Sequence, residues 1–381
     1  MPNAPDTTRR KVLIVKFGAI GDVLMALPGA HLLHQQQMEV HWLCGPAVAP
    51  LLALYPWIHT HIADDRALLR ASFPTRLRAL LRLWGSFFFQ PFDLVATLYY
   101  DSRYRLLTLP VRAGRRLQLS RSERQLQLVP DRHHTDEFAR VLLGWPDTCR
   151  EVSLPPLSPR RLPPCPLPSR TLAADGSART RIALVPGGAS NMLRQQTLRR
   201  WPVEHYAEVA RTLVDRGFEV VLLGGPDDLW VRPHFSGAEF QGKPLLDAIG
   251  TLSLPEVIAA ANTCAAVVSH DTGPMHLAGL STASLLALFG PTSPGSFLPR
   301  RPSVRAIHGG EGFACRPCYD GRDFAPCADN ACMRQITPAM VLGELDSLLS
   351  ERGRGLQTPF HILQPSQTWT PIRAAASELA P

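Results

Sequence analysis

Apolar positions along the chain fall into short β-branched runs that alternate with stretches where they recur every three or four residues. KVLIVKF (11–17) predicts a strand stopping at Gly18, and GDVLMALPGAHLLHQ predicts the helix that follows. MEVHWLCG (38–45) and FDLVATLYY (92–100) predict further strands. From Arg66 to Trp84, Leu68, Leu69, Ala71, Leu77, Leu80, Leu81 and Trp84 stand among arginines, which predicts an amphipathic helix broken near Pro74.

Periodicity fails between Leu154 and Arg179, where proline is dense. It then resumes. RIALVPGG (181–188) predicts a strand and loop, and WPVEHYAEVARTLVDRG (201–217) a helix with Pro202 suited to its first turn and Gly217 as its stop. FEVVLLGGP, SLPEVIAAANTC, AAVVSH, GPMHLAGLS and ASLLALFGP continue as strand, helix, strand, helix and strand. Such alternation predicts parallel sheets with helices on both faces. The expected organisation is a first α/β domain over 1–153, a linker over 154–179, a second α/β domain over 180–349, and a partly disordered tail over 350–381. No repeat at solenoid spacing appears.

Composition agrees with two ordinary cores: 381 residues, 45% apolar and 19% charged. The formal charge is +8, and only Lys11, Lys16 and Lys243 among 40 basic residues are lysines. Thirteen arginines lie between Arg66 and Arg132, against Asp93, Asp101, Glu123 and Asp131. Arginine binds phosphate and carboxylate bidentately, so this half could face nucleic acid, anionic headgroups or an acidic glycan; solvated helix faces are the plainer reading. The start resembles a signal peptide only superficially, because Lys16 and Asp22 interrupt the apolar run. No stretch of 18 apolar residues occurs, and a cytoplasmic protein is expected.

Three loops after predicted strands carry candidate chemistry. In SHDTGPMH (269–276), a helix starting near Gly273 would offer unpaired amides to an anion, with Thr272 adding a hydroxyl and His276 a ring nitrogen. Asp271 is awkward beside phosphate, so it is expected to cap that helix or to orient Thr272 and His276. An N-capped helix with a packed histidine is the structural alternative. A second loop, PGGASNMLRQQTLRRW, has Gly187 and Gly188 for close backbone approach, then Ser190, Asn191, Arg194, Arg199 and Arg200. In the third, FGAIGD, Asp22 is placed to accept a proton from a substrate hydroxyl, or is simply an acid favoured by a helix N-terminus. The chain has neither the dinucleotide-binding glycine fingerprint in this loop nor a P-loop, and Asp-x-Asp is absent throughout.

KVLIVKFGAIGDVLMALP, PGG with RRWPVEHYAEVARTL, and SHDTGPMHLAGLSTASLLALFGPTSP resemble the three signature regions of glycosyltransferase family 9, the lipopolysaccharide heptosyltransferases. The third is the most specific. The resemblance implies a GT-B fold, two Rossmann-like domains with parallel sheets facing a central cleft. It further implies inverting, metal-independent transfer of heptose from ADP-heptose to a lipopolysaccharide inner-core acceptor. By matched position Asp22 resembles the catalytic base, and Asp271, Thr272, Gly273 and His276 resemble the donor diphosphate site; Gly187, Gly188 and Ser190 are expected beside them. Arg199 stands where the family often has lysine. Gly18, Arg103, Arg105, Arg115 and Arg116 are expected on the acceptor side, facing an anionic lipid A and Kdo glycolipid at the inner face of the bacterial inner membrane. On this reading nucleic acid is not a partner. The rivals are a transferase for another nucleotide sugar, a nucleotide-sugar epimerase, and a non-catalytic glycolipid-binding protein.

Cys315, Cys318, Cys327 and Cys332 give C-x2-C-x8-C-x4-C, a candidate structural zinc site with no role in catalysis. Reduced, unliganded thiols are the alternative. No cofactor is expected for the chemistry.

Overall fold

The structure, a computed structural model, describes residues 10–87, 90–101, 103–119, 132–146, 153–190, 195–315, 318–319, 323–354 and 361–363. The first half comprises β1 (Lys11–Val15), α1 (Ile20–Gln35), β2 (Glu39–Cys44), α2 (Ala49–Leu52), β3 (Ile58–Ile62) and α3 (Asp65–Leu69). It continues with α4 (Phe73–Phe87), β4 (Phe92–Thr97), α5 (Arg103–Leu107), β5 (Ala113–Gln118) and α6 (His134–Leu143). Its five strands form one parallel sheet in the order β3-β2-β1-β4-β5.

The second half comprises β6 (Arg181–Val185), α7 (Val203–Asp215), β7 (Glu219–Leu222), β8 (Leu245–Asp247), α8 (Leu254–Asn262), β9 (Ala266–His270) and α9 (Gly273–Gly279). After these come β10 (Ser284–Phe289), α10 (Pro294–Phe297), β11 (Val304–His308), α11 (Ala331–Arg334), α12 (Pro338–Gly353) and β12 (His361–Leu363). The seven strands are again parallel, ordered β12-β11-β10-β9-β6-β7-β8. Strand order reverses between β1 and β4 in one sheet and between β6 and β9 in the other. Sheets of this kind bind ligands beyond the carboxyl ends of the strands at such reversals.

The central strands are continuous apolar runs because both their faces are covered: β6, β7, β9 and β10 are buried throughout. The helix read over Arg66–Trp84 is two helices. Asp64 caps α3 by accepting from Ala67 N at 3.0 Å, and Pro74 sits in the first turn of α4, where its missing N–H leaves no carbonyl unpaired. The segment 154–179 contains no helix, but it is not a free spacer. Leu157, Leu162, Cys165 and Leu167 pack on the core, and Ser158 Oγ donates to Leu280 O at 3.0 Å. In the expected tail, α12 runs to Gly353 and His361–Leu363 adds an edge strand against β11, an element too short for periodicity to signal. Residues 355–360 and 364–381 lie outside the described residues.

The two halves share an interface. One apolar cluster runs from Val12, Ile14 and Trp42 through α1 and α6 to α9 and β10. His133 Nε2 donates to Leu298 O at 3.0 Å, and Arg300 Nη1 pairs with Asp136 Oδ2 at 2.6 Å.

Candidate active site

In the first half the site begins where β1 runs out of apolar residues. Helix α1 starts at Ile20, so Gly21 and Asp22 belong to its first turn rather than to a loop, and the Gly18–Ala19 peptide before it is cis. A Cβ on Gly18 would meet nothing within 4 Å. Lys16, buried beside the rings of Tyr99 and Phe138, donates from Nζ to Asp22 Oδ2 at 2.7 Å. Burial alone would raise the Asp22 pKa, but Lys16, then His134 and His276, hold it below the usual value. With 32% of its side chain exposed, Asp22 presents an ionised carboxylate to the cleft.

The second half of the site is wired at the β6/β9 reversal. Thr272 is the N-cap residue of α9, yet its Oγ1 accepts from Ala189 N at 2.8 Å rather than from its own helix. Gly188 adopts φ +88°, and a Cβ there would lie 2.4 Å from Thr272 Oγ1. A Cβ on Gly187 would lie 2.4 Å from Asp228 Cγ. Asp228 accepts from Gly188 N at 2.6 Å and Gly225 N at 2.8 Å, stitching two glycine turns together. The glycines therefore admit protein groups first: the amides of Gly188 and Ala189 are already engaged. Ser190 is exposed at the rim, and Asn191 and Arg194 lie outside the described residues.

Asp271 does not cap α9. Buried, it accepts at Oδ2 from Thr292 Oγ1 at 2.6 Å and from Arg199 Nη1 at 3.1 Å. Burial would raise its pKa, but Arg199 and Thr292 lower it, so the carboxylate stays charged to anchor the arginine. Asp271 Oδ1 and Arg199 Nε are buried without a hydrogen-bond partner. Arg200 donates from Nε to Gly188 O at 2.8 Å and lies 4.9 Å over the Trp230 ring. Two guanidinium groups thus border the loop, Arg199 held by Asp271 and Arg200 by Gly188 O.

The halves meet at α1 and α9. A Cβ on Gly21 would lie 2.5 Å from His276 Cδ2, and one on Gly273 would lie 3.2 Å from Ile20 Cβ. Burial pushes the His276 pKa down to about 4, against the opposing pull of Asp271 and Asp22. It is therefore a neutral imidazole at pH 7, not the cation that anion binding would favour. Sequence reading missed Asp228, Thr292, His134 and Tyr319. His134 opens α6 and is within electrostatic reach of Asp22. Tyr319, from the cysteine-rich segment, packs against the shared core close enough to feel Arg199, Asp22 and Asp271, and burial raises its pKa. Tyr319 has no local pattern to announce it.

The four arginines expected on the acceptor side are held differently. Arg103 follows the carboxyl end of β4 but is held by Asp101, with Nε 2.9 Å and Nη2 2.6 Å from Oδ2. Arg116 donates to Thr108 O at 3.1 Å and to Val111 O, closing the end of the α5 turn. Arg115 packs over Gly144, and Arg105 is exposed. Neighbouring positions on a strand point to opposite faces, which separates Arg115 from Arg116.

The four cysteines carry free thiols. Cys332 is buried under Gly290, while Cys315 and Cys327 are exposed. Among the described residues no three His, Cys, Asp or Glu side chains form a group able to hold a metal, and residues 316–317 and 320–322 of the segment lie outside them.

Two parallel α/β domains with loops converging on a shared cleft define a GT-B protein. Solved structures agree. The glycosyl transferase family 9 structure from Veillonella parvula superposes with a TM-score of 0.66 at 18% identity, covering 90% of this chain and 98% of that one. The E. coli ADP-heptose lipopolysaccharide heptosyltransferase II does so at 0.64 and 21%, covering 90% and 99%. Residues 168–328 match the model of glycosyltransferase family 9 (heptosyltransferase). Lipopolysaccharide heptosyltransferase 2 of Salmonella typhimurium is 33% identical over 163 residues, 41% of this chain and 44% of that protein. Over its second half the chain is thus similar to glycosyltransferase family 9. Its sequence match spans about half the length of the curated relatives, 44% and 48% for the two from Salmonella typhimurium and E. coli.

Proposed function

We propose that this protein is an inverting glycosyltransferase that moves a heptose from ADP-heptose to a lipopolysaccharide inner-core acceptor, without a metal in the chemical step. The observation that carries the reading is the close approach of Gly21 to His276, which sets His276 within electrostatic reach of both the Asp22 carboxylate of one domain and Asp271, the partner of Arg199, in the other. The relatives named for lipopolysaccharide heptose transfer supply the substrate class.

Asp22 takes the proton of an acceptor hydroxyl as the hydroxyl oxygen bonds to the anomeric carbon from the face opposite the diphosphate. The glycosidic C–O bond to phosphate breaks, and its electron pair leaves on the diphosphate. Arg199 and Arg200 stabilise that charge, and Asp271 fixes Arg199 in place. Lys16 tempers the basicity of Asp22 while keeping it ionised. The acceptor is an anionic glycolipid approached from the cytoplasm at the membrane surface. No helix among the described residues is long and apolar enough to cross a membrane. The cysteine segment is proposed to hold a structural zinc ion, which metal analysis of the folded, active protein would test directly.

The test is ADP release from ADP-heptose with and without a Kdo-lipid A acceptor, with mass analysis of the acceptor. Acceptor-dependent release with heptose added to the acceptor is expected. Donor turnover without acceptor would replace this reading with that of an epimerase or hydrolase.

A further inference from the structure

Helix α4 is apolar on two sides. Leu80, Leu83 and Phe87 enter the core against the first sheet, as one stripe of a surface helix should. Phe73, Leu77 and Leu81, spaced four apart, form a second stripe facing outward, 73%, 42% and 55% exposed. Leu106 and Leu109 extend it, because Trp84 Nε1 donates to Leu106 O at 3.1 Å and fixes α5 alongside α4. Five of the nine large apolar side chains exposed among the described residues lie on α4, α5 and the turn after α5, where random scatter would spread them over both domains.

The charge around the stripe has one sign. At helical spacing Arg78 and Arg82 border the outer stripe, and Arg70 and Arg105 are exposed nearby. None of these four has an ion-pair partner among the described residues, whereas Arg103 is held by Asp101. An apolar ridge flanked by unneutralised guanidinium groups matches the boundary between acyl chains and anionic headgroups, where the ridge sinks in and the arginines bind phosphate. We propose that the α4–α5 face docks this protein onto an anionic bilayer.

The orientation is useful. The chain leaves the carboxyl end of β3 through α3 and enters α4 at Phe73, so the stripe starts at the sheet end that carries Asp22. A docked protein would meet a membrane-embedded acceptor at the mouth of the cleft. That consequence rests on the transferase reading; the docking does not.

The experiment uses the full chain with sedimented vesicles of phosphatidylcholine alone or mixed equally with phosphatidylglycerol, at low and high salt. Binding is expected only to the mixed vesicles and is expected to weaken with salt. Leu77→Ser/Leu81→Ser and Arg78→Glu/Arg82→Glu should each lower binding about tenfold or more. All four side chains are exposed, so melting temperature should hold, and turnover of a delipidated acceptor should stay within about twofold while turnover of a vesicle-embedded one falls. Equal binding by wild type and both variants would overturn the proposal. So would a dimer that dissociates in Leu77→Ser/Leu81→Ser with no vesicle binding, since the face would then serve a second copy. Vesicle binding that behaves as expected in a protein with no transferase activity would keep the docking and remove only the acceptor claim.

Discussion

The two halves of the cleft are built differently. On the second domain the named polar groups of the loop are held by one another: Asp228 by two glycine amides, Thr272 by Ala189, and Asp271 Oδ2 by Thr292 and Arg199. On the first, Asp22 has Lys16 as its partner, Gly18 faces open space, and much of the basic charge is exposed. Preorganised charge suits a step in which a diphosphate departs, because dipoles already in place cost no reorganisation. An open face suits an acceptor that is large, anionic and held elsewhere. The family model matches within 168–328, which covers the wired half and none of the open one.

The largest effect that would sharpen this contrast is Asp22→Asn, which removes the proposed base and leaves its shape. Turnover should fall roughly 10²–10⁴-fold, measured as acceptor-dependent ADP release. Gly188→Ala comes next. Its φ of +88° and the 2.4 Å approach to Thr272 Oγ1 leave no room for a methyl group. The substitution should cost about 1–3 kcal/mol of stability in denaturant unfolding and weaken donor binding as well. A melting curve and donor affinity unchanged from wild type would remove the tight-loop account.

Arg199→Ala should lower kcat/KM for donor about 10²-fold, with Arg199→Lys recovering part of it, since lysine keeps the charge but not the planar fork. Equal losses in both variants would mean that geometry alone matters at this position. The smallest effect is on pH stability. His276, pushed to about 4, and His270, pushed to about 3, are both held down chiefly by burial. Between pH ~6.5 and these values the unfolded chain binds more protons than the folded one, so stability is full above that window and falls as pH drops through it. His276 alone contributes on the order of 3 kcal/mol. Asp22 and Asp271, with lowered pKa values, add a further loss below pH ~4. A flat unfolding free energy from pH 7 to 4 would contradict the buried neutral state of both histidines.

Much of the fold was legible because the central strands of both sheets are covered on each face and must be apolar, and because each ends at the polar turn that carries chemistry. The edges were not. Ile58–Ile62 places histidine at its second and fourth positions, and Ala113–Gln118 carries Arg115 and Arg116, because edge strands need only half a buried face. Asp22, Asp271, Thr272 and His276 could be picked out since each lies just beyond an apolar run. The job of Asp271 could not, because Thr292 and Arg199 reach it from other elements. Asp228 and Tyr319 join the site through tertiary contacts that leave no periodic trace. How the four acceptor-side arginines are held was hidden for the same reason: charge count does not say which guanidinium pairs with Asp101 or with the end of α5.

The most direct test of the proposed division into a wired donor half and an open base half is calorimetric titration of ADP into wild type, Asp22→Asn and Arg199→Ala side by side. The account predicts ADP affinity within about threefold of wild type for Asp22→Asn, and a loss of about tenfold or more for Arg199→Ala. An Arg199→Ala protein that binds ADP as wild type does, or an Asp22→Asn protein that loses as much affinity as Arg199→Ala, would contradict it.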